Sequence, residues 1–245
     1  MSDYKPIGDT RHEGVSAPKA STSWRQLGVL VLDGSESMTW DLERPDNSMA
    51  GLPAKTKAVA VDQAVRGLIN RLRASRKSGN FAIASVSFND VATAVQAPRD
   101  VAEIDPMESF DPTAAGIGGT KIHTGLTAAY DLVEQWFRDE EANNLPLSAV
   151  VLVMSDGEDA EPESALDGAA QLKSLPNTLV ACSLFSTAGE PSTGGDLLEA
   201  MASEPRLYQT VFDAEQLRKF FTASLTAAAG MMVSVGDAPA GGDLF

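Results

Sequence analysis

The chain has a single cysteine, Cys182, and two histidines, His12 and His123, in 245 residues. One thiol cannot form a disulfide within the chain, so no covalent staple supports the fold; inside the apolar run Leu179–Phe185 it reads as a small hydrophobe. Neither Cys182 nor a histidine falls in the oxygen-rich loops described below, which argues against zinc there. Positive charge is scarce: 19 Lys and Arg stand against 34 Asp and Glu, a net charge of −15. Nucleic acid and anionic membrane surfaces are therefore poor partners, whereas basic proteins and divalent cations are attracted. No apolar run is long enough to span a bilayer, and the opening residues Met1 to Pro6 lack the basic and apolar segments of a secretory signal. The expected location is a reducing cytoplasm.

With 43% hydrophobic residues the chain can build one core of ordinary size. Residues 1–23 are polar, without periodicity, and read as a disordered N-terminal tail. Residues 24–230 are expected to form one domain, followed by a Gly- and Ala-rich C-terminal tail over 231–245. Within the domain, strand-like and helix-like segments alternate. Leu27–Leu32, Phe81–Phe88, Ala149–Met154, the run around Val180 and Tyr208–Val211 are strand-like, and Ala92–Ala97 is a weaker strand. Between them, Val61, Val65, Leu68, Ile69 and Leu72, then Leu126, Ala129, Tyr130, Val133 and Phe137, repeat at helical spacing. Further helices are expected over 161–175 and 196–202. A last one is capped by Asp213 with Gln216 three residues on. Trp136, Phe220 and Phe221 are read as packing residues.

This alternation predicts an α/β fold with a mostly parallel sheet, helices on both faces and right-handed crossovers. The short connection at Asn89-Asp90 requires one antiparallel pair, placed at an edge. Ligands of such sheets bind outside the carboxyl ends of the strands. Three loops are expected there. The first strand runs into Asp33-Gly34-Ser35-Glu36-Ser37, where three oxygen-bearing side chains alternate. Gly116-Ile117-Gly118-Gly119-Thr120-Lys121 precedes a helix and presents a hydroxyl. It does not fit a phosphate loop, in which a lysine precedes the hydroxyl residue. The most apolar strand ends at Ser155-Asp156-Gly157-Glu158-Asp159. Each piece alone is an ordinary capping loop, and Glu158 and Asp159 are read that way. Together they bring two carboxylates and three hydroxyls to one edge. Such a set suits Mg²⁺, with Mn²⁺ or Ca²⁺ as substitutes.

These three pieces resemble the metal-ion-dependent adhesion site of von Willebrand factor A (vWA) domains. There a D-x-S-x-S loop, a Thr after a glycine pair and an Asp opening a D-G-E turn surround one Mg²⁺. The resemblance extends from about Gln26 to Ala228 and includes Met201-Ala202-Ser203-Glu204-Pro205. It implies a Rossmann-like three-layer fold and a metal held by Asp33, Ser35, Ser37, Thr120 and Asp156. It also implies a non-enzymatic module that takes an Asp or Glu carboxylate from a protein partner. Stand-alone bacterial cytosolic members resemble components of tellurite-resistance-like and kinase–phosphatase clusters, or companions of AAA+ ATPases. Two features depart from the pattern. Met38–Lys55 is longer than the usual link into the first helix, and Gly34 stands where a small hydroxylated residue is common.

Two other readings remain at this level. A phosphotransferase or hydrolase would use the same metal, but its nucleophile pattern needs a second Asp where Ser35 stands, and no Gly-x-Ser-x-Gly elbow occurs. A scaffold with a purely structural cation is the other. His123, three residues beyond Thr120, is expected to pack or to serve the loop rather than act as a base.

Overall fold

The computed structural model describes residues 23–42, 55–187 and 193–233, with the side chains of 230–233 excluded. Both expected tails, apart from Ser23 and the end of the last helix, lie outside these residues, as does most of the Met38–Lys55 segment.

Among the described residues six strands form one sheet: β1 (Arg25–Asp33), β2 (Phe81–Phe88), β3 (Ala92–Asp100), β4 (Leu147–Ser155), β5 (Thr178–Phe185) and β6 (Tyr208–Val211). Their order is β3-β2-β1-β4-β5-β6. Every pair is parallel except β2–β3, which is antiparallel and lies at an edge, as the short turn between them demands. The register of β2–β3 shifts twice, between Ile83 and Ser85 and between Ser87 and Phe88.

Among the described residues five α-helices complete the layers: α1 (Lys57–Ala74), α2 (Ile122–Glu140), α3 (Pro162–Ser174), α4 (Gly195–Met201) and α5 (Ala214–Val233). The central strands are apolar on both faces because both are covered. In β4, Val150, Leu152 and Met154 pack with α1 and α5, whereas Ala149, Val151 and Val153 pack with α2, α3 and α4. In β1, Leu30 and Leu32 face the first core and Leu27, Val29 and Val31 the second. Trp136, Phe220, Phe221 and Cys182 are all buried. Burial in this apolar layer pushes the Cys182 thiol well above its ordinary pKa, so it behaves as the expected small hydrophobe.

Local chemistry sets the helix ends. Thr56 caps α1, accepting from Val59 N at 3.2 Å. Asp213 caps α5 by accepting from Gln216 N at 2.7 Å. The Gln216 side chain reaches back to Phe212 N at 3.1 Å, one residue before the N–H that a capping box would use.

β1 and β4 are neighbours at the centre of the order. From them the crossovers run outward in opposite directions, to β2 on one side and β5 on the other. Sheets of this class open a crevice at that switch point, beyond the carboxyl ends of the two strands. Leu32 pairs with Met154, so Asp33 and Ser155 end the two strands side by side.

Candidate metal centre

Asp33, at the last position of β1, is completely buried. One of its carboxylate oxygens accepts from Ser35 N at 2.7 Å and the other from Ser155 Oγ at 2.5 Å. The Ser35 and Ser37 hydroxyls lie 3.1 Å apart, and Ser37 Oγ donates to Asp156 Oδ1 at 2.7 Å. Four of the five expected ligands are thus joined in one chain of hydrogen bonds across the β1–β4 boundary.

The loop of Thr120 borders both flanks of this cluster through its backbone. Ser35 and Gly118 form a bridge, Glu36 N donates to Gly118 O at 3.0 Å, and Ala160 N donates to Thr120 O at 2.9 Å. Thr120 is half-buried, and among the described residues its hydroxyl bonds to none of the other four. Asp90 clasps the same loop by accepting from Gly119 N at 2.9 Å. A Cβ at Gly118 would lie 2.7 Å from the Asp90 carboxylate, which explains the glycine there.

Gly34 is fixed by close approach. Its N–H donates to Phe88 O at 2.6 Å, and a Cβ on it would meet the carbonyl oxygen of Pro112 at 2.4 Å. The departure from the common hydroxylated residue is therefore a steric requirement of this loop packing.

Electrostatics favours a cation at this place. Burial, the largest influence, raises the Asp33 pKa from 3.8 to about 6; the Ser155 and Ser35 hydrogen bonds lower it and the neighbouring Asp156 charge raises it. The Lys57 ammonium, 2.7 Å from Asp156, balances one of the two carboxylates, which leaves one negative charge uncompensated among the described residues. Each oxygen of a carboxylate keeps a further lone pair, and the hydroxyls supply neutral oxygen donors. Asp33, Ser35, Ser37 and Asp156 therefore fit a hard divalent ion, which would supply the missing positive charge.

One residue here escaped the sequence reading. Lys57, the first residue of α1, is buried and its Nζ lies 2.7 Å from Asp156 Oδ2. The available signal was its position. It stands four, eight and eleven residues before Val61, Val65 and Leu68, on the apolar stripe, where a charge needs a buried partner. Ser155 was likewise read only as the end of a strand. Asp159, expected to cap one helix, serves two segments: its carboxylate accepts from Ile122 N and from Glu161 N, both at 2.5 Å. His123 stands in the first turn of α2 with Nδ1 3.8 Å from Glu161, beyond hydrogen-bonding distance and outside the oxygen cluster. Among the described residues no three His, Cys, Asp or Glu side chains group as a metal site, so any cation here relies on the serine hydroxyls. No helix among the described residues is long and apolar enough to cross a membrane.

Solved structures share this architecture. The chain is similar to the minor pilin PilB of Streptococcus sanguinis, with 14% identity, a TM-score of 0.66, and coverage of 89% of this chain and 64% of that one. It is similar to the pilus adhesin SpaC of Lactobacillus rhamnosus GG, with 12% identity and a TM-score of 0.64, covering 87% of this chain but 31% of that one. A third relative is proximal thread matrix protein 1 of the mussel byssus, in a form with a zinc-occupied MIDAS motif. Its identity is 15%, its TM-score 0.53, and the match covers 84% of this chain and 46% of that one. The chain thus spans about a third to two thirds of these longer proteins, and at such identities the likeness speaks for the fold. Among curated proteins no sequence matches. The family model for the von Willebrand factor type A domain matches residues 29–223, nearly all of the sheet and its helices. The chain belongs to the vWA domain family, whose members generally serve as protein-interaction modules, some with a metal at the adhesion site.

Proposed function

We propose that this domain is a metal-dependent protein-interaction module whose adhesion site is intact. Asp33, Ser35, Ser37, Thr120 and Asp156 hold one divalent cation, Mg²⁺ in the first instance, and the cation receives an Asp or Glu carboxylate from a protein partner. The observation that carries this reading is the hydrogen-bonded chain Asp33–Ser35–Ser37–Asp156 across the switch point. It gathers two carboxylates and two hydroxyls where sheets of this class bind ligands. The two carboxylates, the Lys57 ammonium beside Asp156 and a divalent ion would together carry one positive charge, which suits an external anion. The acidic chain repels such a partner at long range, but that field is screened within about 8 Å at physiological salt, while coordination acts at contact.

The phosphoryl-transfer reading remains the weaker one, because Ser35 stands where a second Asp would be needed. A bacterial cytosolic setting, with a partner from a kinase–phosphatase or AAA+ ATPase system, is part of the proposal. The zinc held by the mussel protein makes Zn²⁺ a necessary competitor in any test. Calorimetric titration with Mg²⁺, Mn²⁺, Ca²⁺ and Zn²⁺ should show one site in the wild type and none in Asp33→Ala. Affinity capture from native extract should recover a partner in Mg²⁺ that is lost with EDTA and weakened by Thr120→Ala. Capture indifferent to both treatments would refute the adhesion mechanism.

A further inference from the structure

Lys57 is an improbable residue for its place. At the first position of α1 its charge opposes the positive end of the helix dipole, and its side chain, 3% exposed, has lost its hydration. The ion pair with Asp156 offsets both penalties. The two oxygens of Asp156 are divided: Oδ1 accepts from Ser37 and Oδ2 from Lys57, each at 2.7 Å. The ammonium thus shares one carboxylate with the hydroxyl chain that the proposed cation would use.

The same lysine is tied to an exposed aromatic residue. Its Nζ lies 5.8 Å from the centroid of the Trp40 ring, within the range of a cation–π contact. Its backbone N–H donates to Trp40 O at 3.3 Å. Asp41 bridges to Thr56, and Leu42 N donates to Lys55 O at 3.0 Å. Residues 40–42 and 55–57 are thereby zipped together at the base of the long segment that separates them. Trp40 is 48% exposed, whereas Trp24 and Trp136 are buried.

We infer that Lys57 is a tethered counter-cation that competes with the divalent ion for Asp156, and that its release on metal binding is transmitted to Trp40. The inference rests on the metal reading above. Like charges around one buried carboxylate repel strongly where water cannot screen them. A divalent ion therefore binds the wild type less tightly than its oxygen set alone would permit. Loading draws Asp156 away from the ammonium, and the first turn of α1 and the Trp40 ring move with it. Metal occupancy then alters the surface beside the site.

The test is a Mg²⁺ titration of the full chain, followed by calorimetry and by intrinsic tryptophan fluorescence, with folding checked by circular dichroism. Lys57→Met and Lys57→Gln should bind Mg²⁺ roughly tenfold or more tighter than the wild type, as removal of one member of a buried ion pair predicts. Wild-type emission should change with Mg²⁺, and Trp40→Phe should abolish that change. Equal affinities in the wild type and a folded Lys57 variant overturn the competition. A wild type that binds Mg²⁺ with silent Trp40 emission overturns the transmission and needs no substitution at Lys57. If neither the wild type nor the variants bind Mg²⁺, the metal reading itself fails and the inference falls with it.

Discussion

Replacing Asp33, a proposed metal ligand, should stabilise this protein when metal is withheld. Asp33 is buried and its pKa stands at about 6 in the folded chain, against 3.8 as the reference value for an unfolded carboxyl. For an acid whose pKa is raised by folding, the stabilising contribution is complete below pH 3.8. It is lost as pH rises through about 6, because the folded state then surrenders a proton it holds more firmly than the unfolded chain does. At about 1.4 kcal/mol per pH unit of difference, the charged carboxylate costs the metal-free fold about 3 kcal/mol at neutral pH. Asp33→Asn keeps the shape and the acceptor for Ser35 N, and the Ser155 hydroxyl can turn to accept from the new amide. In EDTA at pH 7 the variant should therefore be more stable than the wild type by about 2 kcal/mol, or roughly 4–8 °C in Tm. The advantage should shrink to nothing near pH 4. Mg²⁺ should raise the Tm of the wild type alone. Urea unfolding of both proteins from pH 4 to 8 measures the difference directly. A difference independent of pH, or a variant less stable than the wild type at pH 7 in EDTA, would refute the reasoning.

Two further outcomes follow from the loop contacts. Gly34→Ser, although it introduces the residue type common in the family, should destabilise the fold by about 1–3 kcal/mol, because its Cβ would strike the Pro112 carbonyl and backbone must shift; unchanged urea unfolding would contradict this. Asp159→Ala should cost about 1–2 kcal/mol by freeing the N–H groups of Ile122 and Glu161 at once, which exceeds the loss expected of an exposed surface carboxylate; hydrogen exchange should show faster opening at the starts of both α2 and α3.

The framework of the fold was legible because covered strands write themselves as unbroken apolar runs. Phe81–Phe88 and Tyr208–Val211 were read to the residue, and the Asn89-Asp90 turn foretold the antiparallel edge. That Asp33, Ser35, Ser37 and Asp156 come together was legible because residues at and just beyond strand ends are placed by topology, not by their own side chains. What stayed hidden depends on contacts between segments far apart in sequence. Nothing local to Lys57 names Asp156, 99 residues away, as its partner. The need for glycine at 34 comes from Pro112, and the grip on Gly119 from Asp90. Thr120 was placed at the right edge by its neighbours, but its hydroxyl orientation is a rotamer choice that sequence spacing does not fix.

The two rims of the sheet bear on how such a domain is used in larger assemblies. An open sheet invites another chain to add a strand, and that route leads to fibres as readily as to function. Here one rim is β3, whose pairing with β2 slips twice and which carries Pro98, Arg99 and Asp100 at its end; a proline offers no N–H to a newcomer. The other rim is β6, four residues long. Neither offers a long, regular row of backbone groups. Pro98 and the irregular register of β3, and the shortness of β6, make both rims poor templates for an added strand, which disfavours growth by strand exchange between copies.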